Sequence, residues 1–300
     1  MNRPLRKTVG TILAAPRNHL NSDTGFIAVT HRFCKKKSLL IIFLSLFLAI
    51  PSAYAADKPS EIIATTPPLA GVVKMLIKGI EPDCLLPPGS DPHHFQLSPR
   101  QVEKLNRSKL LVRSSKDDHG WITFEPKVAV IDLWPEHDHA WLNPQRVEQM
   151  LPLLAEKLAT SVPEKSNEIT ASMKQAEADI TSIQQALETA LRELKRDGVI
   201  MQHPSWRSLF EAFNIPILLT LESQHHGHEL GPHHLEKALT IMKQHPNALL
   251  VGDIRHSNRS LEWLADHADN KKILYLDALG SCGDSWPKLM QNNIERISAL

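Results

Sequence analysis

From residue 61 onward, short apolar runs alternate with stretches whose apolar residues recur every three or four positions. The short runs read as strands over 61–65, 84–86, 109–112 and 128–132. Helical patterns lie between them, over 69–78, 98–107 and 143–160. Ser98-Pro99-Arg100-Gln101 offers an N-cap, a proline at the first helical position and a capping-box glutamine. Strands and helices alternating at these spacings predict a largely parallel α/β sheet.

The texture then changes. Ile169, Met173, Ala176, Ile180, Ile183, Leu187, Ala190 and Leu194 follow one another by steps of four and three, and Gly198 ends the run. One amphipathic helix over 163–197, about 50 Å long, is the expectation. A coiled-coil dimer would show the same repeat. The α/β patterns on both sides favour a helix packed across two lobes instead. After Gly198, strands are expected over 199–201, 215–219, 248–253 and 273–276, with helices over 206–213, 232–244, 259–267 and 287–297. The expected fold class is therefore α/β, with two parallel-sheet lobes (56–162 and 198–300) joined by one long rigid helix (163–197).

Residues 1–55 read differently. A basic stretch, His31 to Lys37, precedes thirteen almost wholly apolar residues and then Pro51-Ser52-Ala53-Tyr54-Ala55-Ala56. A positive segment, a short apolar core and an A-x-A site are the signature of a secretory signal peptide, and cleavage is expected after Ala55. Thirteen residues rise only about 20 Å as a helix, too short for a bilayer core of roughly 30 Å. Export implies an oxidising, periplasmic setting in which Cys84 and Cys282 remain. Sequence leaves two readings of them open, a disulfide or two separate thiols.

The chain of 300 residues carries a net charge of +1. That figure hides an asymmetry, because residues 1–55 hold eight Lys/Arg and one acid, which leaves −6 on the rest. No basic excess remains to mark a nucleic-acid partner. Histidine is the unusual count, at 16.

In parallel α/β sheets, ligands bind outside the carboxyl ends of the strands. Four candidate metal ligands stand there. His93 lies in the loop after the second strand and His139 in the loop after the fourth. His203 follows the first strand of the second lobe, and Asp277 ends its last strand. With two from each lobe, a cleft between the lobes would gather them. Three neutral imidazoles and one carboxylate form a donor set typical of Zn²⁺, at about 2.0–2.2 Å per bond. His94 and His137 replace His93 and His139 if the register differs by a residue or two. Trp121, Trp134 and Trp141 lie near the first-lobe ligands as packing residues or as walls excluding water. Asp253 is read as an imidazole-orienting carboxylate or an ordinary surface one.

At these residues the chain resembles the metal-specific solute-binding proteins of bacterial ABC importers, in particular the periplasmic zinc-binding branch. The motifs are PPGSDPHHF, HAWLNP, HPSWRSLFEAF and LDALG, in family order from about residue 60 onward. The resemblance implies that His93, His139, His203 and Asp277 bind zinc. It implies a long rigid helix joining the lobes, and a protein that does no chemistry, a monomer handing its cargo to a membrane permease. Manganese and iron relatives usually place a carboxylate at the third position, where this chain has His203, a donor suited to zinc. Two departures stand out: the segment between the first two ligands is short, and Asp138 occupies a position where proline is common.

A histidine-rich tract lies in the second lobe instead. His225, His226, His228, His233 and His234 fall within ten positions and read as an accessory zinc-collecting loop or a solvated connection. Three rivals complete the expectation: a manganese or iron member of the family, a metal-dependent adhesin of the same fold, and a secreted zinc hydrolase. The hydrolase needs a general base near an open metal position. No base motif is recognisable, since Gly231-Pro232 interrupts any helix after His228-Glu229.

Overall fold

The computed structural model describes residues 60–118, 120–222, 232–268 and 271–300. The targeting segment and cleavage site lie outside the described residues, as do His225, His226 and His228. The first lobe runs β1 (Ile62–Ala64), α1 (Pro67–Leu76), β2 (Asp83–Cys84), α2 (Pro99–Asn106), β3 (Leu110–Ser114), β4 (Ala129–Leu133) and α3 (Pro144–Ser161). Its four parallel strands lie in the order β2-β1-β3-β4. After α4 (Ser166–Ala190) and the short α5 (Leu194–Asp197), the second lobe runs β5 (Val199–Met201), α6 (Arg207–Ala212), β6 (Ile217–Thr220), α7 (Pro232–Gln244), β7 (Leu249–Asp253), α8 (Arg259–Asp266), β8 (Ile273–Leu276) and α9 (Trp286–Ser298). Its sheet, β6-β5-β7-β8, is also wholly parallel and has the same order of connection.

Two helices of the first lobe carry the caps their sequences offer. Ser98 and Gln101 close the expected capping box on α2, and Asn143 accepts from the Gln145 amide at the start of α3. The strands are nearly continuous apolar runs because helices cover both faces of a parallel sheet. The long helix differs from its expected form. A turn of 3₁₀ helix, Pro163–Lys165, precedes α4, and a turn at 191–193 separates α4 from α5. The uninterrupted 25-residue helix is thus about 37 Å long. The apolar repeat runs through the break because Leu191 and Leu194 stay in the core across it.

The buried face of α4, with Ile169, Ala176, Ile180, Ile183 and Leu187, packs on α1, α3 and α9. That face has its partners within the chain, which removes the coiled-coil alternative. Helix α9 packs against both β8 and α1, so the chain's last element returns to the first lobe. Contact there is close: a Cβ on Gly71 would stand 2.7 Å from the Trp286 backbone nitrogen. One apolar core is continuous through both lobes, from Val112 and Leu133 to Met201 and Leu276. Trp286 donates its indole N–H to the Trp141 carbonyl at 2.7 Å, and Trp141 donates to the Ala278 carbonyl at 2.8 Å. Cys84 and Cys282 form a disulfide, which closes the alternative of separate thiols and ties the edge of the first sheet to the loop after β8. No helix among the described residues is long and apolar enough to cross a membrane.

Candidate metal centre

The carboxyl ends of the two sheets face a common cleft. His93 reaches it from a 3₁₀ turn, Pro92–His94, capped by Asp91, whose carboxylate accepts from the His93 amide at 2.8 Å. His139 reaches it from the loop after β4. Its backbone is left-handed, at φ +48°, a region few non-glycine residues enter although histidine does so more readily than most. Support comes from Asp117 after β3, which accepts from the His139 amide at 2.8 Å. His203 follows β5 directly and is buried. One nitrogen from each of these three imidazoles lies within 4.8 Å of the other two.

Glu222, just past β6, fixes the state of the third ring. Its side chain is only 1% exposed. Burial pushes its carboxyl up, but hydrogen bonds from His203, His256 and Gln202 outweigh this and bring it down to about 2. An ionised carboxylate can only accept. His203 Nδ1 therefore carries a proton toward Glu222 at 3.1 Å, which makes Nε2 the nitrogen available to a ligand in the neutral ring. That Nε2 is buried without a hydrogen-bond partner in the protein. An unpartnered buried acceptor is costly, and among the buried polar atoms left so, this one alone belongs to the group of three imidazoles. His256 lies past β7 and donates from Nε2 to the same Glu222 oxygen at 2.8 Å, a bond that raises its pKa.

Burial lowers the His93 pKa to about 4, with the neighbouring His203 adding to the effect. The His139 ring is held well below its usual value, chiefly by burial and then by His203 and His93. Both rings are therefore neutral at pH 7, as metal ligation requires. Below pH 6.5 the unfolded chain takes up protons that native His93 and His139 refuse, so the metal-free protein loses stability as pH falls from there toward 4. In a histidine-resolved NMR titration, His93 should titrate near pH 4 and His139 should show no titration step at its ordinary 6.5. Midpoints near 6.5 for both rings would remove the claim that the cleft excludes their charge.

The structure thus joins three of the four expected ligands and leaves out Asp277. The Asp277 carboxylate pairs with Arg255, Nε to Oδ1 at 3.0 Å and Nη2 to Oδ2 at 3.3 Å, and it also accepts from the Gly280 and Leu279 amides. Arg255 and His256 line the cleft, and Asp277 does not. Neither neighbouring histidine replaces the expected ones. His94 is exposed on Asp91, and His137 lies outside the group. Asp253 matches neither reading: it is buried, and it accepts from the Arg255 and Ala278 amides. Trp121 and Trp141 wall the cleft, Trp121 donating to the Pro92 carbonyl and the Trp141 ring lying 5.4 Å from His139. Trp134 packs instead, its indole on the Arg146 carbonyl. Asp117, Glu222 and His256 escape the sequence reading, although each sits just past a strand end, where the rule that finds the other histidines also applies. In the tract of accessory histidines, His233 and His234 occupy the first turn of α7, with His233 exposed.

A family model described as ZnuA, zinc-uptake complex component A periplasmic, matches residues 62–300. A Thermotoga maritima protein whose name makes it a candidate metal-binding protein is 28% identical over 153 residues, 47% of this chain and 56% of its own length. That alignment spans about half of the curated relative. A crystal structure of ZnuA superposes with a TM-score of 0.70 at 20% identity, covering 79% of this chain and 97% of the other. A mutant laminin-binding adhesin from Streptococcus agalactiae gives 0.70 at 15% identity over 80% and 98%. A Mn-bound periplasmic metal-binding protein from Candidatus Liberibacter asiaticus gives 0.66 at 12% over 79% and 98%. At such identities these structures share the fold and say nothing about which metal this cleft takes. The family match runs through both sheets and every cleft residue described above: this chain belongs to the ZnuA family of periplasmic uptake components, the metal-binding solute-binding proteins of ABC importers.

Proposed function

We propose that the protein captures Zn²⁺ between its lobes in the periplasm and delivers it to an ABC permease in the inner membrane. The observation that carries this reading is the meeting of three imidazoles, with His203 Nε2 buried and unpartnered. Nitrogen donors of borderline softness suit zinc, whereas manganese prefers carboxylate and water oxygens. With Asp277 held by Arg255, the carboxylate expected as a ligand is engaged elsewhere, which leaves imidazoles as the grouped donors. On this reading the chain works as a monomer, and the signal peptide is removed after Ala55. The lobes are residues 56–162 and 198–300, with 163–197 as the connecting helical segment. Elemental analysis of the mature protein purified from periplasm tests it. One zinc per chain is expected; manganese or iron at that stoichiometry would overturn the assignment.

The tract from His225 to His234 serves this function as a weaker collector that feeds the cleft. Glu222 precedes His225 by three residues in sequence. Even a fully extended chain spans only about 10 Å over that distance, so zinc held by His225 is tethered close to the cleft. Ordering a loop costs roughly 1–2 kcal/mol per residue fixed, which leaves such a site weaker than one built on strand ends. Deleting residues 224–229 should remove a second, weaker zinc equivalent in calorimetry and leave the tight one nearly unchanged. An unchanged two-site curve would reduce the tract to a spacer.

A further inference from the structure

We infer that His256, not Asp277, supplies the fourth ligand, through Nδ1, so that the cleft binds its metal with four imidazoles. This rests on the metal-capture reading and specifies its site. Five of the six pairings among His93, His139, His203 and His256 have ring centroids 4.7 to 6.2 Å apart. Imidazoles around a tetrahedral zinc, with Zn–N near 2.0–2.1 Å, place their centroids about 5 Å apart. His93, His139 and His203 are thus close to the spacing a shared ion imposes, and His256, whose nitrogen falls in a second group with His203 and Glu222, joins them by a small turn of its ring.

The Glu222 carboxylate orients two of them at once. It accepts from Nε2 of His256 and Nδ1 of His203 on one oxygen, so the opposite nitrogen of each ring is the one that can turn a lone pair to a metal once the ring is neutral. Carboxylate partners of this kind fix the tautomer and ring orientation of metal-binding histidines. The free nitrogen of His256 faces across the cleft, with Nδ1 4.0 Å from Asp91 Oδ2 in the first lobe. Asp91 itself is occupied by the His93 amide and the His94 ring.

The loop carrying His256 is held firmly. Asn258 Nδ2 donates to the His256 and Asp253 carbonyls, and its Oδ1 accepts from the Asp253 amide. Gly252 makes room for this clamp, since a Cβ there would stand 2.5 Å from Asn258 Oδ1. Arg255 in the same loop removes the competing ligand. Drawing Asp277 onto a metal would break a two-pronged ion pair and leave the Arg255 guanidinium, with only the Gly280 carbonyl as partner, beside a divalent cation.

X-ray absorption of the zinc-loaded mature protein counts imidazoles directly, and competition against a chelating dye gives affinity. Wild type should show four imidazoles. His256→Gln, which can keep a bond to Glu222, should show three and bind at least about tenfold more weakly, as should His256→Ala. Asp277→Asn should retain four, with affinity within about threefold, well short of the roughly tenfold that marks loss of even an orienting group. Three imidazoles and an oxygen in wild type, unchanged in His256→Gln, would overturn the inference, as would loss of an oxygen ligand in Asp277→Asn. His203→Ala separates the two levels of argument: if it binds zinc like wild type, metal capture by this cleft fails altogether, whatever His256 does.

Discussion

Serine at both Cys84 and Cys282 should cost the protein about 5 kcal/mol of stability, the chain-entropy value for a loop of about 200 residues. The bond joins residues 198 apart in sequence, so in the unfolded chain it closes a loop that runs through most of both lobes. Its position adds a second consequence. Cys84 ends an edge strand of the first sheet, and Cys282 follows the loop that holds Asp277 and Gly280 in the second. The bond thus closes one side of the assembly, while α4 packs on α1, α3 and α9 elsewhere. In the double-serine variant the denaturant midpoint should fall markedly with little change in the metal-binding residues, none of which touches either sulfur. Reduction of the wild type should reproduce the shift. An unchanged midpoint in both would mean that the core shared by the two lobes already restrains them as strongly as the bond does.

What is legible in the sequence, and what is hidden, follows from the range of each interaction. The alternation of strand and helix is local, set by periodicity and by caps such as Ser98-Gln101, and it is readable throughout. His93, His139 and His203 are readable because each stands in a distinctive run within the segment that follows a strand. Asp277 also stands in such a run, but what it does depends on Arg255, 22 residues earlier on the neighbouring strand's loop. Nothing local marks that pairing. Glu222 and His256 are 34 residues apart and meet only because β6 and β7 flank β5. The long helix hides its break for the opposite reason. Periodicity reports burial, and Leu191 and Leu194 remain buried whether or not the backbone between them is helical.

Glu222→Gln should therefore do more damage than its size suggests, weakening zinc binding by roughly 10–100-fold. Glu222 Oε1 accepts from Gln202 Nε2 at 2.6 Å, while Oε2 accepts from both imidazoles. An amide offers one accepting end and one donating end. With its oxygen toward the histidines, its NH₂ meets the NH₂ of Gln202. Gln202 cannot turn over without cost, because its own oxygen accepts from the buried Leu261 amide at 2.9 Å. With its NH₂ toward the histidines, His203 must accept at Nδ1 and carry its proton on Nε2. The lone pair that the metal needs is then gone. Either arrangement leaves a buried group unsatisfied, and removing one partner from a buried charged cluster typically destabilises by about 3–5 kcal/mol. Because native Glu222 stays ionised down to about pH 2 against an ordinary 4.5, its contribution is present above pH 4.5 and fades only as pH falls toward 2. The variant should therefore be less stable than wild type at pH 7, with the gap narrowing in acid. Parallel denaturation at about pH 7 and pH 3, with zinc competition at the higher pH, measures both effects. Wild-type zinc affinity in Glu222→Gln would show that the tautomer of His203 is not set by this carboxylate.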